Sequence, residues 1–231
     1  MSTIKVISFD GDDTLWQNEN FFQKFCSKFY DMLSEYGTTE EISKKLYDTE
    51  VKNIAIYGYG AKSMMLSMIE TYCKITDGNG DIEIIDKIIK QGQQLLQMPV
   101  NLLDGVKEAV STLKSTYKLV LATKGDLTDQ KRKIDESGLQ KYFYHIEIMA
   151  EKNATGYREL LDILDCAPEN FLMVGNSMKS DILPVLELGG HAILIPYFVT
   201  WEHEKSDEVV DNPDFRQIAS MKKLVSTIKD L

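Results

Sequence analysis

Residues 4–16 read IKVISFDGDDTLW. The apolar stretch from Ile4 to Phe9 is typical of a buried strand, and it leads directly into two carboxylates, Asp10 and Asp12. Clustered negative charge at the end of a buried strand is unfavourable unless a cation or a reaction uses it. The segment therefore predicts a functional site at one edge of a sheet.

The chain after residue 100 alternates between strand-like and helix-like patterns. Further strands are predicted at residues 118–123, 144–149, 171–175 and 192–195. Helical patterns separate them, at about 104–116, 127–137, 155–165 and 179–189. Because strands that alternate with helices imply a parallel sheet covered on both faces, we predict an α/β fold with a doubly wound, Rossmann-like sheet.

Residues 17–98 interrupt this rhythm and contain no convincing strand. Apolar residues recur there at helical spacing, and Thr38 and Glu41 have the spacing of a capping box. We therefore predict an inserted bundle of about four helices. In this interpretation residues 1–16 and 99–231 form the Rossmann-like catalytic core, and residues 17–98 form a helical cap domain.

The composition argues against several classes of partner. The chain has 231 residues and a formal net charge of −10 without a basic patch, which does not suit nucleic-acid binding. Three scattered cysteines suit the reduced thiols of the cytosol, and no apolar run approaches the length of a membrane span. With no pattern of a signal peptide at its start, we expect a cytoplasmic protein without a membrane partner. The sequence does not determine the oligomeric state.

Polar side chains follow each of the first four predicted strands. Because the carboxyl ends of parallel strands lie at one edge of a sheet, we expect these side chains to converge there. They are Asp10 and Asp12 after the first strand, Thr123 and Lys124 at the second, Lys152 after the third, and Asn176 and Asp181 after the fourth. Such a set combines a nucleophile, a hydroxyl, ammonium groups and oxygen ligands for a metal.

Several segments resemble the signature motifs of the haloacid dehalogenase superfamily. They are residues 7–15, with Asp10, Asp12 and Thr14, then Thr123 at the end of a strand, then Lys152, and finally residues 175–181. The resemblance covers essentially the whole chain and implies the phosphatase branch of the superfamily, with an inserted helical cap. It implies a hydrolase of phosphoric monoesters that acts on a small phosphorylated metabolite.

The resemblance also implies a role for each candidate residue. Asp10 would attack phosphorus to form an aspartyl-phosphate, and Asp12 would be the general acid and base. Thr123, Lys124 and Lys152 would bind the substrate phosphate. A Mg²⁺ cofactor would be held by Asp10, Asp12, Asn176 and Asp181. Asn176 departs from the family pattern, since many members have aspartate there, and the site loses one negative charge.

Other functions remain open on the same scaffold. A 2-haloacid dehalogenase characteristically lacks an acid at the position of Asp12, which argues against that alternative. A phosphomutase would return the phosphoryl group to substrate instead of water. A non-catalytic binding protein finds its best support in Asn176. The sequence does not identify the phosphate ester, nor the roles of Trp201 and His203, which follow the last predicted strand.

Overall fold

The computed structural model describes residues 4–229 of the chain, which divide into two compact units. The first unit comprises the described residues up to Glu19, then Val100–Lys124, and the described residues from Gln130 onward. The second comprises Asn20–Pro99 together with Gly125–Asp129. The division into a catalytic core and a cap, with the boundaries given above, stays a prediction.

A parallel sheet forms the centre of the first unit. Its strands are β1 (Val6–Phe9), β2 (Lys118–Lys124), β3 (His145–Met149), β4 (Phe171–Gly175), β5 (His191–Leu194) and β6 (Phe215–Gln217). Their order is β3-β2-β1-β4-β5-β6, and all neighbouring strands pair in parallel. The predicted α/β fold with a doubly wound sheet is confirmed. The sequence did not reveal β6, because three residues of mixed polarity carry no readable period.

The α-helices of residues 4–229, in chain order, are α1 (Glu19–Met32), α2 (Thr39–Tyr57), α3 (Ala61–Ile75), α4 (Ile82–Leu95), α5 (Val106–Leu113), α6 (Leu127–Ser137), α7 (Ala154–Leu164), α8 (Leu183–Glu187) and α9 (Leu224–Lys229). A turn of π-helix, Met178–Ile182, leads directly into α8. None of the helices in this part of the chain combines the length and the apolar composition that a bilayer crossing requires.

The sheet is buried on both faces. Ile7 and Phe9 of β1 pack into an apolar cluster with side chains of α5, α6 and α9. Val6 packs into a second cluster with Tyr157 and Leu160 of α7. All four residues of β1 are therefore buried, as expected for the central strand of a parallel sheet that helices cover on both sides.

The position of β1 determines where the chemistry lies. It pairs with β2 on one side and with β4 on the other, and the amide of Asp10 donates to the carbonyl of Val174 at 2.9 Å. The order of the strands along the chain reverses between β1 and β4. Ligands of open α/β sheets bind at the carboxyl ends of the strands beside such a reversal. Asp10 lies at that point.

The second unit is built from helices, with an apolar core of its own. Its largest buried side chains include Phe29, Leu33, Met68 and Tyr72. The predicted capping box is present at the start of α2, where the amide of Glu41 donates to the Thr38 hydroxyl and the amide of Thr38 donates to the Glu41 carboxylate. Local sequence signals thus define where this helix begins.

Candidate active site

The loop after β1 is a tight turn centred on Gly11. Its carbonyl accepts hydrogen bonds from the amides of Thr14, Leu15 and Trp16 at 2.8–3.3 Å. A Cβ atom at position 11 would lie 2.7 Å from the Trp16 ring, so a larger residue would force the loop open. Glycine is therefore required directly after Asp10.

A buried ammonium group joins two carboxylates at the carboxyl edge of the sheet. Lys152 Nζ donates to Asp10 Oδ1 at 2.5 Å and to Asp181 Oδ1 at 2.6 Å. The three side chains, Lys152, Asp10 and Asp181, are only 2%, 9% and 1% exposed. Buried charges of this kind are tolerated when they are paired and hydrogen-bonded. The structure thus brings together residues that follow three different strands.

The electrostatics of this group depend on burial and on the ion pairs. Burial raises the pKa of Asp10 to about 7, although the Lys152 ammonium works in the opposite direction and lowers it. For Lys152, burial lowers the pKa, but the charges of Asp10 and Asp181 outweigh it and hold the pKa well above its usual range. Lys152 is therefore charged at neutral pH. A cation beside Asp10 would favour its ionised form further.

Asn176 faces the same aspartate. Thr14 Oγ1 donates to Asp10 Oδ2 at 3.1 Å, and the inner atom of the Asn176 amide lies 3.2 Å from Asp10 Oδ2 and 3.2 Å from the Asp12 carbonyl. With its NH₂ group turned inward, Asn176 donates to these oxygens. With its oxygen turned inward, it completes a group of three acceptor oxygens, which is the donor type that Mg²⁺ prefers.

These donors fit Mg²⁺ in kind. Within residues 4–229, no three His, Cys, Asp or Glu side chains form a metal-binding group. The oxygens that face one another here belong to the Asp10 carboxylate, the Asn176 amide and the Asp12 backbone carbonyl. Asp181, the fourth predicted ligand, has its Oδ1 on Lys152 and accepts from the amide of Ser177 at 3.0 Å with its Oδ2. Gly175 is required beside it, since a Cβ atom there would clash with the Asp181 carboxylate.

Asp12 has a separate set of partners. Its carboxylate accepts from Trp16 Nε1 at 2.6 Å, from Gln130 Nε2 at 2.9 Å and from Lys133 Nζ at 3.0 Å to each oxygen. Sequence reasoning missed Gln130 and Lys133, because polar residues at i, i+3 spacing on a helix are equally typical of an exposed face. Thr123, which is 1% exposed, donates its hydroxyl to Gln130 Oε1 at 3.3 Å.

Lys124 is engaged by a carboxylate that the sequence analysis did not single out. Its ammonium pairs with Glu204 and donates to Ser180 Oγ at 3.0 Å. Glu204 also accepts from the hydroxyls of Ser177 and Ser180. A substrate phosphate would compete with Glu204 for this ammonium, so the phosphate-binding role of Lys124 stays a prediction.

The segment that carries Glu204 follows β5 and closes against the turn after β4. Burial acts to raise the pKa of Glu204, but Lys124 and the two serine hydroxyls outweigh it and lower the pKa to about 2. Trp201 and His203 lie in the same segment, with ring centroids 4.9 Å apart. These two residues therefore contact each other in the segment that Glu204 joins to Lys124, Ser177 and Ser180.

The carboxylate of Asp13 accepts hydrogen bonds from backbone amides. The residue has a φ of 62°, and its carboxylate accepts from the amides of Asn18 at 2.8 Å and Glu19 at 3.0 Å, at the start of α1. Burial raises its pKa to about 8, and the neighbouring charge of Asp12 adds to the effect. Asp13 therefore caps a helix.

A family model of haloacid dehalogenase-like hydrolases matches residues 4–189. The chain belongs to this family, and the predicted class of enzyme, a hydrolase, is confirmed. A haloacid dehalogenase-like hydrolase from Xanthomonas campestris is a solved relative, with 37% identity and a TM-score of 0.89 over 99% of this chain and 91% of that chain.

A further relative and a structural neighbour have names that indicate different reactions. N-acylneuraminate-9-phosphatase of Mus musculus is 31% identical over 93 residues, which is 38% of this chain and 38% of the relative, so the match spans well under half of that protein. An L-2-haloacid dehalogenase from Xanthobacter autotrophicus has a TM-score of 0.67, covers 99% of both chains and is 12% identical. At that identity the similarity shows the fold alone.

Replacing Glu204 by glutamine tests the ion pair with Lys124. At pH 7 we expect Glu204→Gln to lower the free energy of unfolding by roughly 2–4 kcal/mol, because the ammonium of Lys124, whose side chain is 16% exposed, loses its carboxylate partner. A carboxyl whose pKa is lowered by folding stabilises the protein above its ordinary pKa. The difference should therefore shrink as the pH falls from 4.5 towards 2. Urea unfolding at several pH values measures both effects.

The matched control is Glu202→Gln, in the same segment. Glu202 is 62% exposed and pairs with Lys205, which is 58% exposed. We expect this change to leave the unfolding midpoint where it is, because exposed pairs are screened by water. Equal effects of the two substitutions would contradict the role given to Glu204.

Proposed function

We propose that the protein is a Mg²⁺-dependent phosphatase that hydrolyses a small phosphorylated metabolite through an aspartyl-phosphate on Asp10. One observation carries the proposal. The Asp10 carboxylate lies at the carboxyl end of the central strand, buried and oriented by Lys152 and Thr14. Nucleophilic catalysis requires a carboxylate that is held in one orientation in this way.

The first half of the reaction transfers the phosphoryl group to the protein. An oxygen of Asp10 forms a bond to phosphorus, and the bond between phosphorus and the ester oxygen breaks. The departing alkoxide takes a proton from Asp12 and leaves as the free alcohol. Charge builds on the phosphoryl oxygens during this step. Lys152 and the Thr123 hydroxyl are the groups that we assign to hold them, with Lys124 as a further candidate.

The second half returns the phosphoryl group to water. A water molecule gives a proton to Asp12 and forms a bond to phosphorus, while the bond from phosphorus to Asp10 breaks. The products are inorganic phosphate and the original Asp10 carboxylate. Asp12 thus acts as an acid in one half and as a base in the other, so the proton balance closes over one turnover.

The residues that would hold Mg²⁺ are Asp10, the backbone carbonyl of Asp12, Asn176 and Asp181. Bound there, the ion would offset the repulsion between the nucleophile and the phosphoryl group. The acceptor oxygens grouped around the Asn176 amide support this assignment. In the proposal the helical unit selects the substrate and excludes water, which is the role predicted for a cap.

One relative and the site favour this function over the dehalogenase alternative. A relative aligned over 93 residues is named as a phosphatase, which supports the reaction class and leaves the substrate open. A halide leaves as a stable anion and needs no proton, so a dehalogenase would have no use for an acid at the position of Asp12. The hydrogen-bond donors that hold the Asp12 carboxylate therefore favour ester hydrolysis.

Removing the nucleophile tests the mechanism. We expect Asp10→Asn to reduce the turnover of p-nitrophenyl phosphate by at least about 10³-fold, because an amide does not attack phosphorus. Chelation of divalent ions should abolish wild-type activity, and added Mg²⁺ should restore it.

The exposed substitution Asp135→Asn is the control, and thermal unfolding shows whether each variant is folded. Turnover that persists in Asp10→Asn, or that is indifferent to chelation, would contradict the proposal. Release of halide from 2-chloropropionate in place of phosphate from the aryl ester would favour the dehalogenase.

Asn176 gives a test of the ligand set that does not depend on activity. We expect Asn176→Asp to tighten Mg²⁺ binding by about tenfold, because the site gains a negative charge among its oxygens. Isothermal titration calorimetry with MgCl₂ measures the change directly. Asn101→Asp, at an exposed position, adds the same charge elsewhere and should bind Mg²⁺ as the wild type does. An unchanged affinity in Asn176→Asp would remove Asn176 from the ligands.

A further inference from the structure

We infer that Lys133 is a positioning residue that, with Trp16 and Gln130, fixes the carboxylate of Asp12 for both of its proton transfers. The inference rests on the proposed phosphatase function. It assigns a role in the reaction to three residues that belong to none of the motif positions discussed above.

The Asp12 carboxylate is held at both of its oxygens. Oδ1 accepts from Trp16 Nε1 at 2.6 Å and from Lys133 at 3.0 Å, and Oδ2 accepts from Gln130 Nε2 at 2.9 Å and from Lys133 at 3.0 Å. A carboxylate offers about four acceptor positions. Because rotation about its terminal bond would break several hydrogen bonds at once, the orientation of Asp12 is set before any substrate binds.

Lys133 is the donor that spans both oxygens. Its side chain is 9% exposed, and the ammonium also donates to Asn18 Oδ1 at 2.8 Å. Because Nζ lies 3.0 Å from each oxygen of Asp12, Lys133 keeps a hydrogen bond to one oxygen while the other oxygen exchanges a proton with the leaving group or with water. It therefore guides Asp12 through the proton transfers without releasing it.

The burial of Lys133 is hard to explain by stability. Lysine is seldom buried, and replacing a buried ion pair by apolar residues of similar volume is often neutral or stabilising. A helix that only had to cover the sheet would place an apolar residue at this position, as it does at Ile134. The arrangement makes sense where a carboxylate must be held in one orientation.

Gln130 connects this group to β2. Its Nε2 donates to Asp12 and to the Lys124 carbonyl at 3.2 Å, and its Oε1 accepts from the Thr123 hydroxyl at 3.3 Å. These bonds fix which end of the amide faces Asp12. Gln130 thereby connects Asp12 to β2, which carries the predicted phosphate-binding residue Thr123. The proton donor and this residue are therefore held in fixed positions relative to each other.

The test compares two esters that differ in their need for a proton. The phenol released from phenyl phosphate is about as basic as a tyrosine side chain, and it leaves poorly without protonation. The p-nitrophenol from p-nitrophenyl phosphate is far more acidic and depends less on Asp12. The value of kcat/KM reports the steps up to departure of the alcohol, so it isolates the first proton transfer.

We expect Lys133→Met to lower kcat/KM for phenyl phosphate at least about tenfold more than for p-nitrophenyl phosphate. Trp16→Phe keeps an aromatic ring and loses the Nε1 donor. It should also lower kcat/KM more for phenyl phosphate than for p-nitrophenyl phosphate, with a smaller difference between the two esters. Lys133→Arg should recover part of the loss on phenyl phosphate. Lys131→Met, an exposed lysine on the same helix, is the matched control and should hydrolyse both esters as the wild type does.

A double substitution separates positioning from folding. If Lys133 acts through Asp12, adding Lys133→Met to Asp12→Asn should change kcat/KM for phenyl phosphate by less than about twofold. An equal loss on both esters, or a large further loss in the Asp12→Asn background, would overturn the inference. If Lys133→Met does not fold, as judged by thermal unfolding, the ester preference of Trp16→Phe decides between the outcomes.

The inference and the proposed function can fail separately. If the wild type hydrolyses both esters and Asp10→Asn does not, an equal loss of kcat/KM on both esters in Lys133→Met overturns only the positioning role. If the wild type with Mg²⁺ hydrolyses neither ester, the phosphatase function fails, and the inference fails with it.

Discussion

The candidate site depends on one buried interaction, the ammonium of Lys152 between the carboxylates of Asp10 and Asp181. Two carboxylates that converge in an apolar interior repel each other and lose their hydration, and either effect alone would favour their neutral forms. Lys152 supplies the charge that allows them to converge. The remainder of the site is arranged around this pair, since Thr14 orients the second oxygen of Asp10 and the Ser177 amide orients the second oxygen of Asp181.

The same principle recurs at neighbouring strand ends. Lys124 pairs with Glu204, Lys133 with Asp12, and Lys152 with two aspartates. In a chain with a net charge of −10, the positive charge at this edge of the sheet is therefore already paired with carboxylates. An incoming phosphate ester would have to compete for these ammonium groups. This competition gives a physical reason for the proposed cation. The cation would add positive charge at a place where the lysine ammonium groups are already paired with carboxylates.

The sequence predicted five of the six strands and missed β6, because β1, β2, β4 and β5 are mostly apolar runs and the helices between the strands have a clear period. It also predicted that side chains at the ends of different strands would lie at one edge, and Asp10, Lys152 and Asp181 are brought into contact there. That inference needed only the rule that parallel strands end together. The capping box at Thr38 was equally legible, because its signal lies within four residues.

The partners of Asp12 and Lys124 could not be predicted in the same way. Glu204 lies in an irregular segment far along the chain from Lys124, and no local pattern indicates where such a segment packs. The orientation of an Asn or Asp side chain also depends on tertiary neighbours, so the sequence could place Asn176 at the site without defining which amide atom faces Asp10. Burial is likewise a tertiary property, and it is the main reason that the pKa of Asp10 is raised to about 7.

The central claim is that the Asp10 carboxylate is the nucleophile of this site. The most direct measurement is mass spectrometry of peptides after rapid acid quenching of the enzyme during turnover of a phosphate monoester. The account predicts the added mass of one phosphoryl group on the peptide that contains Asp10, with fragmentation assigning it to that residue. Phosphorylation of a different residue, or continued hydrolysis with no phosphorylated peptide at any quench time, would contradict it.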